Sequence, residues 1–132
     1  MTIGWGLTGF IWQRPVFMVA VRDSRYSFEL MEAAGDFTVS LPFSDQAQAL
    51  KLCGTKSGRD LDKFAASGLK IMAAQQTLSP VLELAGLHYE CQIRCKTRLD
   101  PALLDPELEQ LYPAKDYHSL YFGEILACYE TE

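Results

Sequence analysis

Residues 53–64 read Cys-Gly-Thr-Lys-Ser-Gly-Arg-Asp-Leu-Asp-Lys-Phe, a turn of small residues, hydroxyls and cations ahead of a short amphipathic run. Gly54 and Gly58 permit close backbone approach or positive φ. Thr55 and Ser57 carry hydroxyl donors, and Lys56 and Arg59 bring charge suited to an anion such as a phosphate. A solvated connection between helices has a similar composition, so the turn alone leaves both readings open. Ser24-Arg25-Tyr26-Ser27 follows an apolar strand and opens a helix, where amides point outward and an arginine can fork onto phosphate. A helix cap beside a surface arginine is the plainer alternative. His118 stands between Tyr117 and Ser119 at the start of the last strand, either hydrogen-bonded within the packing or turned to a ligand. Thr2, Gly4 and Trp5 open the chain, the tryptophan serving as core or as an apolar wall.

These residues need elements to hold them. Ile3 to Trp12, interrupted by Gly4, Gly6 and Gly9, reads as a bent strand, or a strand followed by a loop that approaches a ligand. Pro15 then opens the near-continuous apolar run Val16 to Val21, a central strand. Ser24 or Ser27 is placed to cap a short helix over Phe28 to Ala34, stopped by Gly35. Phe37 to Leu41 alternates as a strand. Ser44 or Asp45 caps a helix over Gln46 to Leu52 that Gly54 ends, and a second helix starts near Arg59 and stops at Gly68. Between them lies the 53–58 turn, its free amides favouring negative charge. Leu69 to Ala73 is a brief strand. In Leu87 to Thr97, Leu87, Tyr89, Cys91, Ile93 and Cys95 form an apolar face. His88, Glu90, Gln92, Arg94 and Lys96 form a wet one, with His88 and Glu90 facing solvent. Asp100 to Pro113 is a polar excursion with a helical turn within Leu103 to Leu111, and the last strand covers Tyr117 to Tyr129.

Many strands with short helices between them favour an antiparallel barrel over a parallel α/β sheet. No Rossmann glycine pattern, Walker loop or Gly-x-Ser-x-Gly elbow is present. At 132 residues the chain reads as one domain, large enough to bury roughly two thirds of its unfolded surface. Its hydrophobic share of 48% and charged share of 22% are ordinary globular values. No apolar run is long enough to cross a bilayer, and no secretory signal opens the chain, so a cytoplasmic location is expected. The net charge of −5 argues against a broad nucleic-acid surface but leaves room for one phosphate beside Lys56, Arg59 and Lys63. Cys53, Cys91, Cys95 and Cys128 read as buried free thiols. On a strand, Cys91 and Cys95 would lie roughly 13 Å apart, too far for one zinc or one disulfide; Cys53 stands out by adjoining the 53–58 turn.

Taken together, Met1-Thr2-Ile3-Gly4-Trp5-Gly6, Val21-Arg22-Asp23-Ser24-Arg25-Tyr26-Ser27, Phe37-Thr38-Val39-Ser40, the 53–64 turn and Asp116-Tyr117-His118-Ser119-Leu120-Tyr121-Phe122-Gly123-Glu124-Ile125 make a pattern. In that order and spacing the chain resembles the flavin reductase-like proteins of the FMN-binding split-barrel fold, the flavoredoxin branch above all. The resemblance implies a mainly β, antiparallel, Greek-key split barrel with short appended helices. It implies an FMN site: Ser24, Arg25, Tyr26 and Ser27 at the phosphate or ribityl chain, and Cys53, Gly54, Thr55, Lys56, Ser57 and Gly58 around the phosphate or the pyrimidine edge. Thr2, Gly4 and Trp5 would lie against the isoalloxazine, and His118 would meet the flavin or face a nicotinamide. NADH or NADPH, or a redox protein, would supply electrons, and two chains would form a homodimer. A flavoredoxin-like carrier without its own NAD(P)H activity, and a cofactor-free interaction subunit, are the alternative functions. Relative to the family pattern, residues 1–132 are expected to form a single domain without the usual first N-terminal strand: the start is truncated, the protein manages without that strand, or another chain replaces it.

Overall fold

A computed structural model describes residues 1–132. Its main sheet has five antiparallel strands, and each pairing follows from the sequence. Strands β1 (Gly6–Ile11) and β2 (Arg14–Arg22) form a hairpin in which Ile11 faces Arg14. The two turn residues, Trp12 and Gln13, have φ of 55° and 58°. This is the turn geometry whose twist suits a two-residue hairpin, built here without the usual glycine or asparagine. Helix α1 (Tyr26–Ala34) then leads to β3 (Asp36–Pro42), which pairs with β6 rather than with β2. After β3 come α2 (Ala47–Thr55), α3 (Lys63–Ser67) and the small pair β4 (Ile71–Met72) and β5 (Val81–Leu82). The long strand β6 (Gly86–Arg98) is followed by a 3-10 turn (Pro101–Leu103), helix α4 (Pro106–Glu109) and the long strand β7 (His118–Thr131). The order across the main sheet is β1-β2-β7-β6-β3. The antiparallel class and the short appended helices are as the alternation and turn signals require.

The core gathers Phe17, Val19 and Val21 of β2, Phe37 and Val39 of β3, Cys91 of β6 and Tyr121 of β7. Helix α1 covers it with Phe28 and Met31. The Tyr121 hydroxyl donates to Glu32 of that helix at 2.8 Å, and Glu32 pairs with Lys96 at 2.9 Å. Gly123 lets β7 cross this core: a Cβ there would stand 2.6 Å from the Phe37 ring and 2.7 Å from Cys91. No helix is long and apolar enough to cross a membrane.

Several expectations need correction. His88 and Glu90 are fully buried rather than solvent-facing. Register shifts between Glu90 and Cys91 and between Ile93 and Cys95 break the alternation of β6, so that the neighbours Glu90 and Cys91 are both enclosed. The segment before β6 folds over the polar side. The His88 ring meets Ser40 Oγ at 2.9 Å and Thr131 Oγ1 at 2.7 Å. Glu90 accepts from the amides of Gln75, Gln76 and Thr77 and from the Tyr129 hydroxyl. Both groups are satisfied structural elements. Of the cysteines only Cys91 is buried; Cys53 and Cys95 are partly exposed and Cys128 is exposed. Burial pushes the Cys91 thiol up to about 12. Helix α2 runs through Gly54 to Thr55, past the glycine expected to stop it. Neither Ser24 nor Ser27 caps α1, whose N-cap is Arg25 without a side-chain hydrogen bond.

Candidate functional site

The four sequence regions singled out for chemistry form one closed ring of contacts. Gly54 lies so near Thr2 that a Cβ on it would stand 3.1 Å from Thr2 Oγ1. Gly58 likewise makes room for Tyr26, whose ring would meet an added Cβ at 3.0 Å. These two glycines let the chain's own motifs meet; neither has a positive φ. Arg59 fastens the same junction. Its guanidinium pairs with Glu29 of α1, donates to the Ser24 carbonyl at 3.2 Å and lies 5.3 Å from the centre of the Tyr26 ring. The hydroxyl of Ser24 then donates to Asp116 at 2.6 Å. Two residues on, His118 packs against Trp5, ring centres 4.6 Å apart. Trp5 belongs to the segment that began the ring at Thr2, and its carbonyl accepts from the Ala20 amide at 3.1 Å.

Around this ring the side chains divide into engaged and free. The Thr55 hydroxyl donates back into α2, to the Lys51 carbonyl at 2.7 Å. Ser57 Oγ accepts from the Arg59 amide at 3.1 Å. Lys63 donates to the Cys53 carbonyl at 2.8 Å, which leaves it a strut of the turn rather than a free cation. The helix after the turn starts at Lys63, not near Arg59, and Asp62 accepts from the amides of Phe64 and Ala65. Its positive end is therefore filled by the chain's own carboxylate. Arg25 and Lys56 are exposed and form no ion pair with a carboxylate. They are the cations available to a ligand, flanked by the hydroxyl groups of Ser27 and Ser57. Gly4 stands in open space beside Trp5.

An aromatic cluster adjoins this charged end. Trp5 meets Tyr112 edge-on at 6.0 Å, and Tyr112 lies against Tyr117 at 4.8 Å. Arg22 sits 5.3 Å from the centre of the Tyr112 ring. The Tyr112 hydroxyl lies 2.7 Å from His118 Nδ1. Burial, reinforced by the charges of Arg22 and Arg25, holds His118 below the ordinary histidine value, while Asp116 and Asp23 oppose the shift. A neutral His118 that accepts the Tyr112 hydroxyl's hydrogen bond at Nδ1 carries its own proton on Nε2 and has a donor to offer. Burial also raises the Tyr112 hydroxyl, so the phenol keeps its proton. The amino group of Met1 is lowered by burial and by Lys63.

Sequence reasoning missed Arg22, Tyr112 and Asp116 as parts of this site. Tyr112 lies in a polar excursion with no periodicity. Its one signal was the clustering of Tyr112, Tyr117 and Tyr121 about the single nearby histidine.

The assembly offers two free cations and two hydroxyls at one end and a tryptophan, histidine and tyrosine wall at the other. That donor set suits a ligand with an anionic tail and a flat, hydrogen-bonding ring. Comparison with known proteins points the same way. The whole chain, residues 1–132, matches the family model of the flavin reductase like domain. Among solved structures, flavoredoxin of Desulfovibrio vulgaris (Miyazaki F) aligns at 21% identity with a TM-score of 0.77, covering 100% of this chain and 61% of that one. Flavoredoxin from Methanosarcina acetivorans aligns at 24% identity and 0.75, with the same coverage of 100% and 61%. The NADH:FAD oxidoreductase of Streptomyces globisporus C-1027 aligns at 17% and 0.71, covering 99% of this chain and 67% of that one. The chain thus spans about three fifths of the length of those flavoredoxins. No curated protein sequence matches it. The likeness to the solved structures carries the split-barrel fold, and the match over every residue carries the family: the chain belongs to the flavin reductase-like domain family.

Proposed function

We propose that this chain is one flavin reductase-like domain that binds FMN and passes electrons through it. The observation that carries the reading is the ring of contacts itself, which leaves Arg25 and Lys56 without carboxylate partners beside a wall of Trp5 and His118. In this reading Arg25, Ser27, Lys56 and Ser57 hold the phosphate end, where charge-assisted hydrogen bonds are worth most. Ser24, Tyr26, Cys53, Gly54, Thr55 and Gly58 give that end its shape. Thr2, Gly4, Trp5 and His118 line the ring, with His118 held in place by Tyr112 and offering Nε2–H. When bound, the isoalloxazine supplies hydride and single-electron exchange. A cation near its pyrimidine edge stabilises the reduced anion, a second task open to Lys56.

FMN titration of the purified chain, followed by quenching of flavin fluorescence, tests the reading. Arg25→Ala and Lys56→Ala should each weaken binding about tenfold, the worth of one charge-assisted bond, with an unchanged far-UV spectrum. Unaltered affinity in both removes the anchor, and failure of the parent chain to take up FMN favours the cofactor-free alternative. The electron source divides two versions of the function. Relatives in fold include both flavoredoxins and an NADH:FAD oxidoreductase. Anaerobic bleaching of the loaded protein by NADH or NADPH would make it a reductase. Bleaching only by a reduced redox protein would make it a carrier.

A further inference from the structure

The connection from β6 to β7 is far longer than the sheet requires. Arg98 pairs with Ser119, and the Leu99 amide donates to the His118 carbonyl at 3.0 Å, so a hairpin loop of about 2–5 residues would join the two strands. Residues 99–117 intervene instead. Between 100 and 116, Tyr112 is the one buried residue, at 4% exposure, while Leu103, Leu108 and Leu111 are exposed. The segment is bonded to itself: Asp100 and Asp105 accept from the amides of Ala102 and Glu107, and the Tyr112 amide donates to the Glu109 carbonyl. Its feet are fixed, Leu99 by His118 and Asp116 by the Ser24 hydroxyl. Its middle is held by Tyr112 and by two long bonds, from Arg22 to the Leu111 carbonyl at 3.4 Å and from the Tyr117 hydroxyl to Glu109 at 3.3 Å.

Tyr112 closes on the wall of the site. Its ring meets Trp5 edge-on, and its hydroxyl lies 2.7 Å from His118 Nδ1. His118 is only 8% exposed. Nε2 of the same ring has no hydrogen-bond partner in the protein, yet no enclosed side-chain nitrogen is left without one, so Nε2 sits at a narrow opening to solvent. A ring that is to lie against both Trp5 and His118 needs more room than that. Segments with few buried residues open more readily than the sheet beneath them, and active-site lids are drawn from such segments. We infer that residues 100–116 are a lid over the His118 side of the site, latched by Tyr112, which swings out on its two feet to admit a flat, hydrogen-bonding ring. The lid rests on the flavin reading for the identity of that ring; its latch does not.

The latch is tested on the full chain without flavin. Of the two histidines, His88 is fully buried, so diethyl pyrocarbonate reports on His118. The reagent attacks the unprotonated ring nitrogen, which in neutral His118 is Nδ1, the atom that the Tyr112 hydroxyl caps. In the parent chain His118 should react well below the rate of free imidazole. Tyr112→Ala should speed the reaction at least about tenfold, since a buried aromatic ring is lost, and Tyr112→Phe about fivefold, since one hydrogen bond is lost and the ring stays. Uncapping Nδ1 alone would do the same, so hydrogen exchange followed by mass spectrometry reads the lid itself. The amides of 100–116 should exchange faster in both variants, more so in Tyr112→Ala, while those of β6 and β7 keep the parent rate. Unchanged exchange of 100–116 in Tyr112→Ala overturns the inference. So does equal acceleration in β6 and β7, which would make Tyr112 part of the core, or a His118 that reacts in the parent chain as fast as free imidazole. FMN should associate about fivefold faster with Tyr112→Phe than with the parent chain, and an equal rate would mean that the lid does not stand in the way of the ring. A parent chain that takes up no FMN would sink the flavin reading and leave the exchange and modification rates as they stand.

Discussion

The two edges of the main sheet are built on opposite principles. At one end β3 is covered: the amides of Leu78 and Ser79 and the Ser79 hydroxyl donate to Asp36, the Thr38 hydroxyl donates to the Pro80 carbonyl at 2.6 Å, and the Leu82 amide donates to Ser40 Oγ at 3.4 Å. The same covering segment is bound from beneath by Glu90. At the other end all six residues of β1 are exposed. A sheet edge can be closed by polar groups of its own chain, as at β3, or be lined by apolar side chains that face outward, as at β1. Closing an edge with buried carboxylates has a cost, because Asp36 and Glu90 leave water and must be fully hydrogen-bonded in return. Both are, and no buried side-chain nitrogen or oxygen lacks a partner.

The covered edge should therefore be the more sensitive to single changes. Glu90→Ala removes the acceptor of three amides and a phenol together and should cost about 3 kcal/mol or more in chemical denaturation. Proteolysis should then cut first between Gln75 and Pro80; a loss below about 1 kcal/mol would mean that the segment is held by something else. Asp36→Asn keeps one oxygen acceptor and should cost less, about 1–2 kcal/mol. Acid gives a second handle on Glu90. Burial alone would raise its carboxyl, but the amides and Tyr129 outweigh that and hold it below its ordinary value of 4.5. Its folded value lies below its unfolded one, so its contribution is complete above pH 4.5 and is lost as pH falls through the folded value. The stability gap between the parent chain and Glu90→Gln should narrow on that acid side and stay flat above it.

This contrast also marks what the sequence could and could not reveal. The strands and the antiparallel class were legible because β2, β3 and β7 alternate or run apolar where the core needs them. The chemistry-bearing regions were legible because their residue types are unusual side by side. The phase of β6 was not, since a bulge leaves no trace in residue type. His88 and Glu90 look like a wet face until the 75–85 segment is seen to cover them. The start of α3 was misread for a local reason: Leu61 fits the helical spacing, but Asp62 caps the helix one residue later. Thr55, Arg59 and Lys63 looked like ligand donors, and each is engaged inside the protein. Only three-dimensional partners distinguish such residues from Arg25 and Lys56.

At the bare edge the expected effects are smaller and of a different kind. The β1–β2 turn holds Trp12 and Gln13 with positive φ, a conformation that costs a non-glycine residue about 1 kcal/mol. Gln13→Gly should recover about that much in a denaturation experiment, because Gln13 makes no side-chain hydrogen bond that would be lost. Trp12→Gly should recover less, since the tryptophan also meets Phe122 edge-on at 5.9 Å.

Phe10→Lys should show the smallest effect, because the ring is 75% exposed. An exposed side chain that touches only its own molecule changes stability by about 0.5 kcal/mol or less on substitution, and dilute Phe10→Lys should unfold at nearly the parent midpoint. A midpoint well below the parent's would mean that the Phe10 ring is held by its own chain, and the contrast between a polar, covered edge and an apolar, exposed one would be smaller than the exposure of β1 implies.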